Sequence, residues 1–379
     1  MFAPHLMRAL GLVFALFSLN VAAAQAEIVS WRASPTQAGA IQARIRIDGR
    51  DLDLDLRITK PSIVPREMTL LVETTAGEAL AAVAMSRNTT MAQIDVSRLP
   101  EALRGKALHE LFDKLRNDSG ARYLLAHGDA ATSPMLIENA MHADGLLLEN
   151  EAPPPSLKTS HIIALIGADG FTKTQSAPGA RAPEPANQRR FYLAGVMLTP
   201  PKDVSSCVAP VNALSPDPAR RALLVALDDW VRGAKPPASR LPGRTDIAPA
   251  RSLNWPAIPN LPSPPADDRP AVKIDSDGNE TSGLRMPDQA LPLATFTGFN
   301  KTHDKAAAVC AAGATFPFAA TRAAREENRD PRLSLVERYG SRAYFVATLR
   351  VIADKLVREK LLLPSDADAY VAAGKVAPF

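Results

Sequence analysis

The sequence predicts an α/β architecture: a mostly parallel sheet flanked by helices, with an N-terminal β-hairpin and a C-terminal helical region. Short unbroken apolar runs at Met68–Val72, Gly145–Leu148 and His161–Ile166 read as strands buried on both faces. Segments between them carry helical spacing, as at Leu108, Leu111, Phe112 and Leu115. Strand and helix alternating in this way is the pattern of parallel crossover units.

The elements follow in order. Arg8, the apolar stretch Ala9–Val21 and Ala24-Gln25-Ala26 have the layout of a secretory signal with an A-x-A cleavage site. The stretch is too short for a stable bilayer span, with an uncleaved anchor as the alternative. The expectation is a signal peptide over 1–26 and a periplasmic or secreted protein from Glu27. Residues 27–379 then form one domain, with a sheet core over 27–200 and a helical, proline-rich wrapping region over 201–379. Ala43–Ile47 and Leu52–Ile58 alternate apolar and charged residues around Asp48-Gly49, which predicts a hairpin with one wet face. Tyr123–Ala126 is a short strand, Ser133–Met141 a helix and Phe191–Val196 a last strand. Ser215-Pro-Asp-Pro218 opens a helix whose stripe is Leu223, Ala226, Leu227, Trp230 and Val231, closed by Gly233. At that spacing Trp230 is core rather than a ligand platform. Ten prolines between Pro236 and Pro270 exclude helix and inner strand. Trp255 and Leu261 make the stretch a strap on the domain rather than a polyproline ligand. Ser334-Leu-Val-Glu337 is a capping box, followed by a helix with Phe345, Leu349, Ile352 and Leu356 on one face and a last helix from Ser365 to Gly374.

Composition narrows the function. A net charge of +4 spread over the chain, with no basic cluster interleaved with aromatics, gives nucleic-acid binding no support. Cys207 and Cys310 are the only cysteines. In an exported protein they predict a disulfide, worth about 4.7 kcal/mol for a loop of roughly 100 residues; two buried thiols are the alternative.

From Arg189 onward the chain resembles the bacterial alpha/beta hydrolase domain proteins. The residues that carry the likeness are Phe191-Tyr-Leu-Ala-Gly195, Cys207 with Arg221–Val231, Ile274–Glu280, Pro292–Asn300, Phe316–Arg322 and Asp330–Tyr339. A weaker likeness joins Asp55–Ile58 and Leu70–Glu73 to the family's opening strands. The resemblance implies an α/β-hydrolase fold, a Gly-x-Ser-x-Gly elbow and a histidine in an Ala-Gly-x-x-His run. Both motifs have lost their chemistry here. The elbow falls on Gly128-Asp129-Ala130-Ala131-Thr132, with Ala130 at the nucleophile and Thr132 at the second glycine. The histidine run falls on Ala194–Leu198, with Leu198 at the base, and no histidine lies between His161 and His303. The acid would be Asp169, which also reads as an ordinary turn residue. A methyl group cannot attack an acyl carbon, and losing either group costs on the order of 10⁶ in turnover in subtilisin.

Rival constellations are sparse. His127, Asp129 and Ser133 lie together near the predicted carboxyl edge of the sheet, where α/β proteins bind ligands, so a relocated site is one reading. Helix capping by Ser133 ahead of Pro134 is the plainer one. His109, His127, His142 and His161 show no H-x-x-x-H spacing and no adjacent carboxylate set, while Asp275–Glu280 departs from the calcium-loop pattern at its glycine and at Met286. No metal and no cofactor are therefore expected, and His303 reads as solvent-facing loop. The expected function is a non-catalytic binding or structural module with an eroded serine-hydrolase triad. Its candidate partner is a small acyl or hydrophobic ligand. The alternatives are an active carboxylic-ester or amide hydrolase using the relocated serine and histidine, and an unrelated α/β binding protein.

Overall fold

Alternation of period two builds the first edge of the main sheet. In a computed structural model describing residues 26–63, 65–75, 78–177, 182–201, 203–262, 264–303 and 310–379, β1 (Ala26–Ala33), β2 (Ala40–Ile47) and β3 (Arg50–Thr59) form an antiparallel meander. The expected signal segment lies outside the described residues except for Ala26, which begins β1. Asp48 and Gly49 both have positive φ, 52° and 77°, as the two-residue hairpin turn requires. Arg44 and Arg46 pair with Asp53 and Asp51 on the wet face, while Ile45, Ile47, Leu54 and Leu56 are buried on the other.

The chain then alternates through β4 (Thr69–Glu73), α1 (Ala81–Ser86), β5 (Thr90–Ile94), α2 (Glu101–Ser119), β6 (Tyr123–Gly128), α3 (Ser133–Glu138), β7 (Gly145–Glu149), β8 (His161–Ile166), α4 (Phe171–Ser176) and β9 (Gln188–Tyr192). The sheet order is β1-β2-β3-β5-β4-β6-β7-β8-β9. From β5 through β9 every pairing is parallel. The edge strand β1 and the inner strand β5 were not anticipated, because neither carries a clean apolar run or alternation.

The continuous runs are explained residue by residue. Leu70, Val72, Leu124, Ala126, Leu146 and Leu148 face one core with Leu108, Leu111 and Phe112 of α2. Leu71, Leu125, Leu147 and Ile163 face the other, with Leu223 and Leu227 of α5 (Asp217–Val231) and with Ala353 and Leu356 from the C-terminal region. Each fully buried leucine contributes about 1.5–3 kcal/mol of apolar transfer.

The expected strand over Phe191–Val196 stops early. β9 ends at Tyr192, Leu193 bridges to Leu284, and Gly195 turns the chain at φ 67°. Beyond α5 the proline strap does pack on the body: Ala250 and Ile258 are buried, and Trp255 meets Phe299 edge-on at 5.0 Å. Its ends pair as β10 (Ile247–Pro249) and β11 (Pro270–Val272). After α6 (Pro287–Ala290), β12 (Ala294–Thr297) and β13 (Ala314–Pro317) form a second small sheet.

The C-terminal region is α7 (Arg322–Glu327), α8 (Leu335–Tyr339), α9 (Arg342–Arg358) and α10 (Pro364–Lys375). The Ser334–Glu337 capping box is present. The buried stripe of α9 runs through Phe345, Leu349, Ala353 and Leu356, so Ala353 rather than Ile352 faces inward. Cys207 and Cys310 form a disulfide with Cα atoms 5.4 Å apart. Among the described residues no helix is long and apolar enough to cross a membrane.

A candidate site at the carboxyl edge of the sheet

The parallel strands end side by side with polar residues: Glu73 on β4, His127 and Gly128 on β6, and Glu149 on β7. All four are buried. His127 Nδ1 lies 2.8 Å from both carboxylate oxygens of Glu73, and its Nε2 lies 2.9 Å from Glu149 Oε1. With both ring nitrogens facing carboxylates, the protonated imidazolium is the favoured form. Burial alone would disfavour that charge, but the Glu73 carboxylate and the hydrogen bonds to Glu149 and Glu73 outweigh it and hold the pKa up to about 10. Arg220 on α5 closes the network with a bidentate bond to Glu149, at 2.6 and 2.7 Å. Burial would also raise Glu149, yet His127 and Arg220 keep it below the usual carboxylate range. His127 is thus positioned as a fixed charge, whereas a general base must be neutral at working pH.

Ser133, the candidate relocated nucleophile, is fully buried. Its hydroxyl donates to Gly128 O at 2.8 Å and accepts from Glu149 N at 2.9 Å. It thereby ties α3 to two strand ends, and neither of these partners is His127. Asp129 accepts from the amides of Ala131 and Thr132 and from the Thr132 hydroxyl, a local turn cap. Thr132 in turn accepts from Thr74 Oγ1 at 2.8 Å. Ala130 sits in this turn between β6 and α3, half-exposed.

The elbow survives as a shape. A Cβ on Gly128 would stand 2.7 Å from Thr132 Oγ1 and 2.8 Å from Leu136 Cδ1, so only glycine allows the strand and helix to approach so closely. Asp169, directly after β8, accepts from Leu198 N at 3.1 Å, Thr199 N at 2.9 Å and Thr199 Oγ1 at 2.6 Å. Leu198 O accepts from Arg220 at 2.9 Å. Asp169 and the buried Leu198, the residues expected at the acid and histidine positions, are therefore brought together. Gly195 is also fixed sterically: besides its positive φ, a Cβ there would lie 2.4 Å from Gln289 Nε2.

Beside this edge lies a cavity of about 920 Å³, within the range of small-molecule sites. Phe171, Trp255, Phe296 and Phe299 supply its apolar wall, with Tyr192, Glu280 and Asp169 as polar groups and Cys310 at its margin. Tyr192 OH donates to Glu280 at 2.7 Å, and Gly195 N donates to the same carboxylate at 2.7 Å. Desolvation lifts Glu280 to about 7 despite those two hydrogen bonds, and burial beside Glu280 drives the Tyr192 phenol upward. Sequence reasoning treated Asp275–Glu280 only as a turn. Asp275 does cap it through the amides of Asp277 and Asn279, and Asp277 pairs with Arg338. The role of Glu280 depends on a contact with β9 that no local spacing announces. The structure also gathers His109, Asp113 and His142, where the search for paired histidines had found no ligand set.

Sheet order, the glycine-bound turn after β6 and an acid after β8 define an α/β-hydrolase fold. The alpha/beta hydrolase domain family model matches residues 169–372, just over half of the 379 residues, and the chain belongs to that family. Among solved structures it is similar to an alpha-beta serine hydrolase homologue from Coxiella burnetii, at 10% identity and TM-score 0.30 over 44% of this chain and 86% of that one. It is also similar to Est1E from Butyrivibrio proteoclasticus, at 9% identity and TM-score 0.30 over 40% and 87% of the two chains. A serine hydrolase without a lid from Xanthomonas campestris gives 14% identity and TM-score 0.28 over 42% and 86%. No curated protein matches the sequence.

Proposed function

We propose that this chain is an exported, non-hydrolytic member of its family that binds a small hydrophobic or acyl ligand in the cavity beside β8 and β9. The observation that carries the reading is the double commitment of His127, whose two ring nitrogens both face carboxylates. With Ser133 buried and bonded at both ends, the relocated serine–histidine pair has no free hydroxyl and no neutral base. Ala130 and Leu198 occupy the two family positions that would otherwise supply them. An aromatic-walled cavity whose polar groups include Tyr192, Glu280 and Asp169 suits a ligand with an apolar body and a polar end. Export rests on the N-terminal charge and apolar pattern and on the single disulfide.

The test combines two assays on the purified chain. A fluorophosphonate probe leaves the protein unlabelled and short-chain nitrophenyl esters are not turned over. A fluorescent fatty-acid analogue binds saturably with a change in Trp255 emission, and Phe296→Arg abolishes the binding. Ester turnover lost on a single substitution, at Ser133 or elsewhere, would overturn the reading.

A further inference from the structure

On the far side of α2 from the sheet, two imidazoles and a carboxylate converge. His109 and Asp113 stand one helical turn apart on α2, and residues at that spacing share a face. His142 arrives from the single 3₁₀ turn Ala140–His142 between α3 and β7. The His109 and His142 rings lie 4.1 Å apart in edge geometry, and His142 Nδ1 is 3.0 Å from Asp113 Oδ1. One donor atom from each residue fits within 4.8 Å of the others.

Two further observations set this group apart from a chance surface cluster. The turn that carries His142 is fixed to α2: Arg116 donates to His142 O at 3.0 Å and to Asp144 at 2.9 Å, and Asn139 donates to Gly105 O at 3.1 Å. In addition, His142 Nε2 is enclosed and has no hydrogen-bond partner. An enclosed polar atom without a partner is uncommon in folded proteins and calls for an explanation, of which a bound ion or water is one.

We propose that His109, Asp113 and His142 form a binding site for a late first-row divalent metal ion of the zinc type. Two imidazole nitrogens and one carboxylate oxygen are a ligand set that such ions take, with a fourth position left to water. Bond lengths of about 2.1 Å at tetrahedral angles place ligand atoms roughly 3.4 Å apart. The exposed side chains of His109 and Asp113 reach that spacing by small rotations, while the His142 turn stays fixed. Hard ions such as calcium and magnesium favour all-oxygen sets and are disfavoured here. The site lies away from the carboxyl-edge cavity, so its occupancy is independent of whether any ester is cleaved.

The experiment is calorimetric titration of the untagged, chelator-stripped chain with zinc chloride. The result expected is one equivalent bound. His109→Ala and His142→Ala each weaken binding by at least about tenfold, and Asp113→Asn weakens it as well. His303→Ala leaves the affinity unchanged, and calcium and magnesium do not compete. Cobalt(II) gives visible ligand-field bands that zinc bleaches, which a purely structural role for these residues would not produce. His109→Ala alters an exposed side chain and keeps the test valid if His142→Ala fails to fold. Absence of saturable one-to-one binding overturns the proposal. So does an affinity unchanged in folded His109→Ala, or equal losses at His109 and His303.

Discussion

Replacing His127 with glutamine removes the cation bridging Glu73 and Glu149 while keeping most of the side-chain volume. Arg220 still neutralises Glu149, but Glu73 is left with the neutral amide and hydroxyl donors of Thr75. Breaking a buried ion pair from one side costs about 3–5 kcal/mol. At about 2.1 cal/mol/K per residue, the 379-residue chain unfolds with an entropy of roughly 0.8 kcal/mol/K. The variant should therefore melt roughly 4–6 °C below the parent at pH 7, read by circular dichroism.

The pH dependence is the sharper readout. A histidine whose folded pKa is raised to about 10 adds stability that is complete below its ordinary value near 6.5 and is lost as pH rises through 10. Between pH 8 and 10 the parent therefore loses stability that His127→Gln never had, and the gap narrows by up to about 1.4 kcal/mol per pH unit. A variant as stable as the parent at pH 7, or a gap that stays constant from pH 8 to 10, would refute the imidazolium assignment.

Ser133→Ala should cost about 1–3 kcal/mol by leaving Glu149 N without its acceptor, measurable by urea denaturation, and should change no reactivity toward fluorophosphonate. Glu280→Gln should stabilise the protein at pH 8. A carboxyl held at about 7 contributes stability below its ordinary range near 4.5 and loses it as pH rises through 7. The advantage is therefore up to about 3 kcal/mol at pH 8 and vanishes near pH 4.5 in thermal melts. Cys207→Ser with Cys310→Ser opens a loop of sequence separation 103, worth about 4.7 kcal/mol on the chain-entropy model. Melting should fall by roughly 6 °C, and reductant should then shift the parent but not the double variant.

What could be read from the chain divides along a physical line. The strands β4, β6, β7 and β8 were legible because burial on both faces writes an unbroken apolar run. The capping box at Ser334 and the Asp48-Gly49 turn were legible because their chemistry is local. The expectation that nucleophile and base are missing rests on the family motifs alone, at Ala130 and Leu198. Neither the ion network nor the cavity was visible in advance. Glu73, His127, Glu149 and Arg220 come from four elements joined by sheet register and by the docking of α5, and no spacing along the chain encodes that meeting. Glu280 and His142 follow the same logic, each being completed by a residue distant in sequence.

The network also bears on the non-hydrolytic reading proposed above. A working triad needs a mobile, near-neutral imidazole at the carboxyl edge, which leaves polar strand ends partly unsatisfied until substrate arrives. Here Glu73, His127, Glu149 and Arg220 form one charge network, and Ser133, Asp169 and Arg220 pin α3 and the Leu198 turn by direct hydrogen bonds. Glu149 joins the two: its amide donates to the Ser133 hydroxyl and its carboxylate faces His127. Returning a serine to position 130 would therefore restore a nucleophile without a base. Freeing the base would require dismantling the ion pairs that hold the sheet's edge together, at a cost of several kcal/mol.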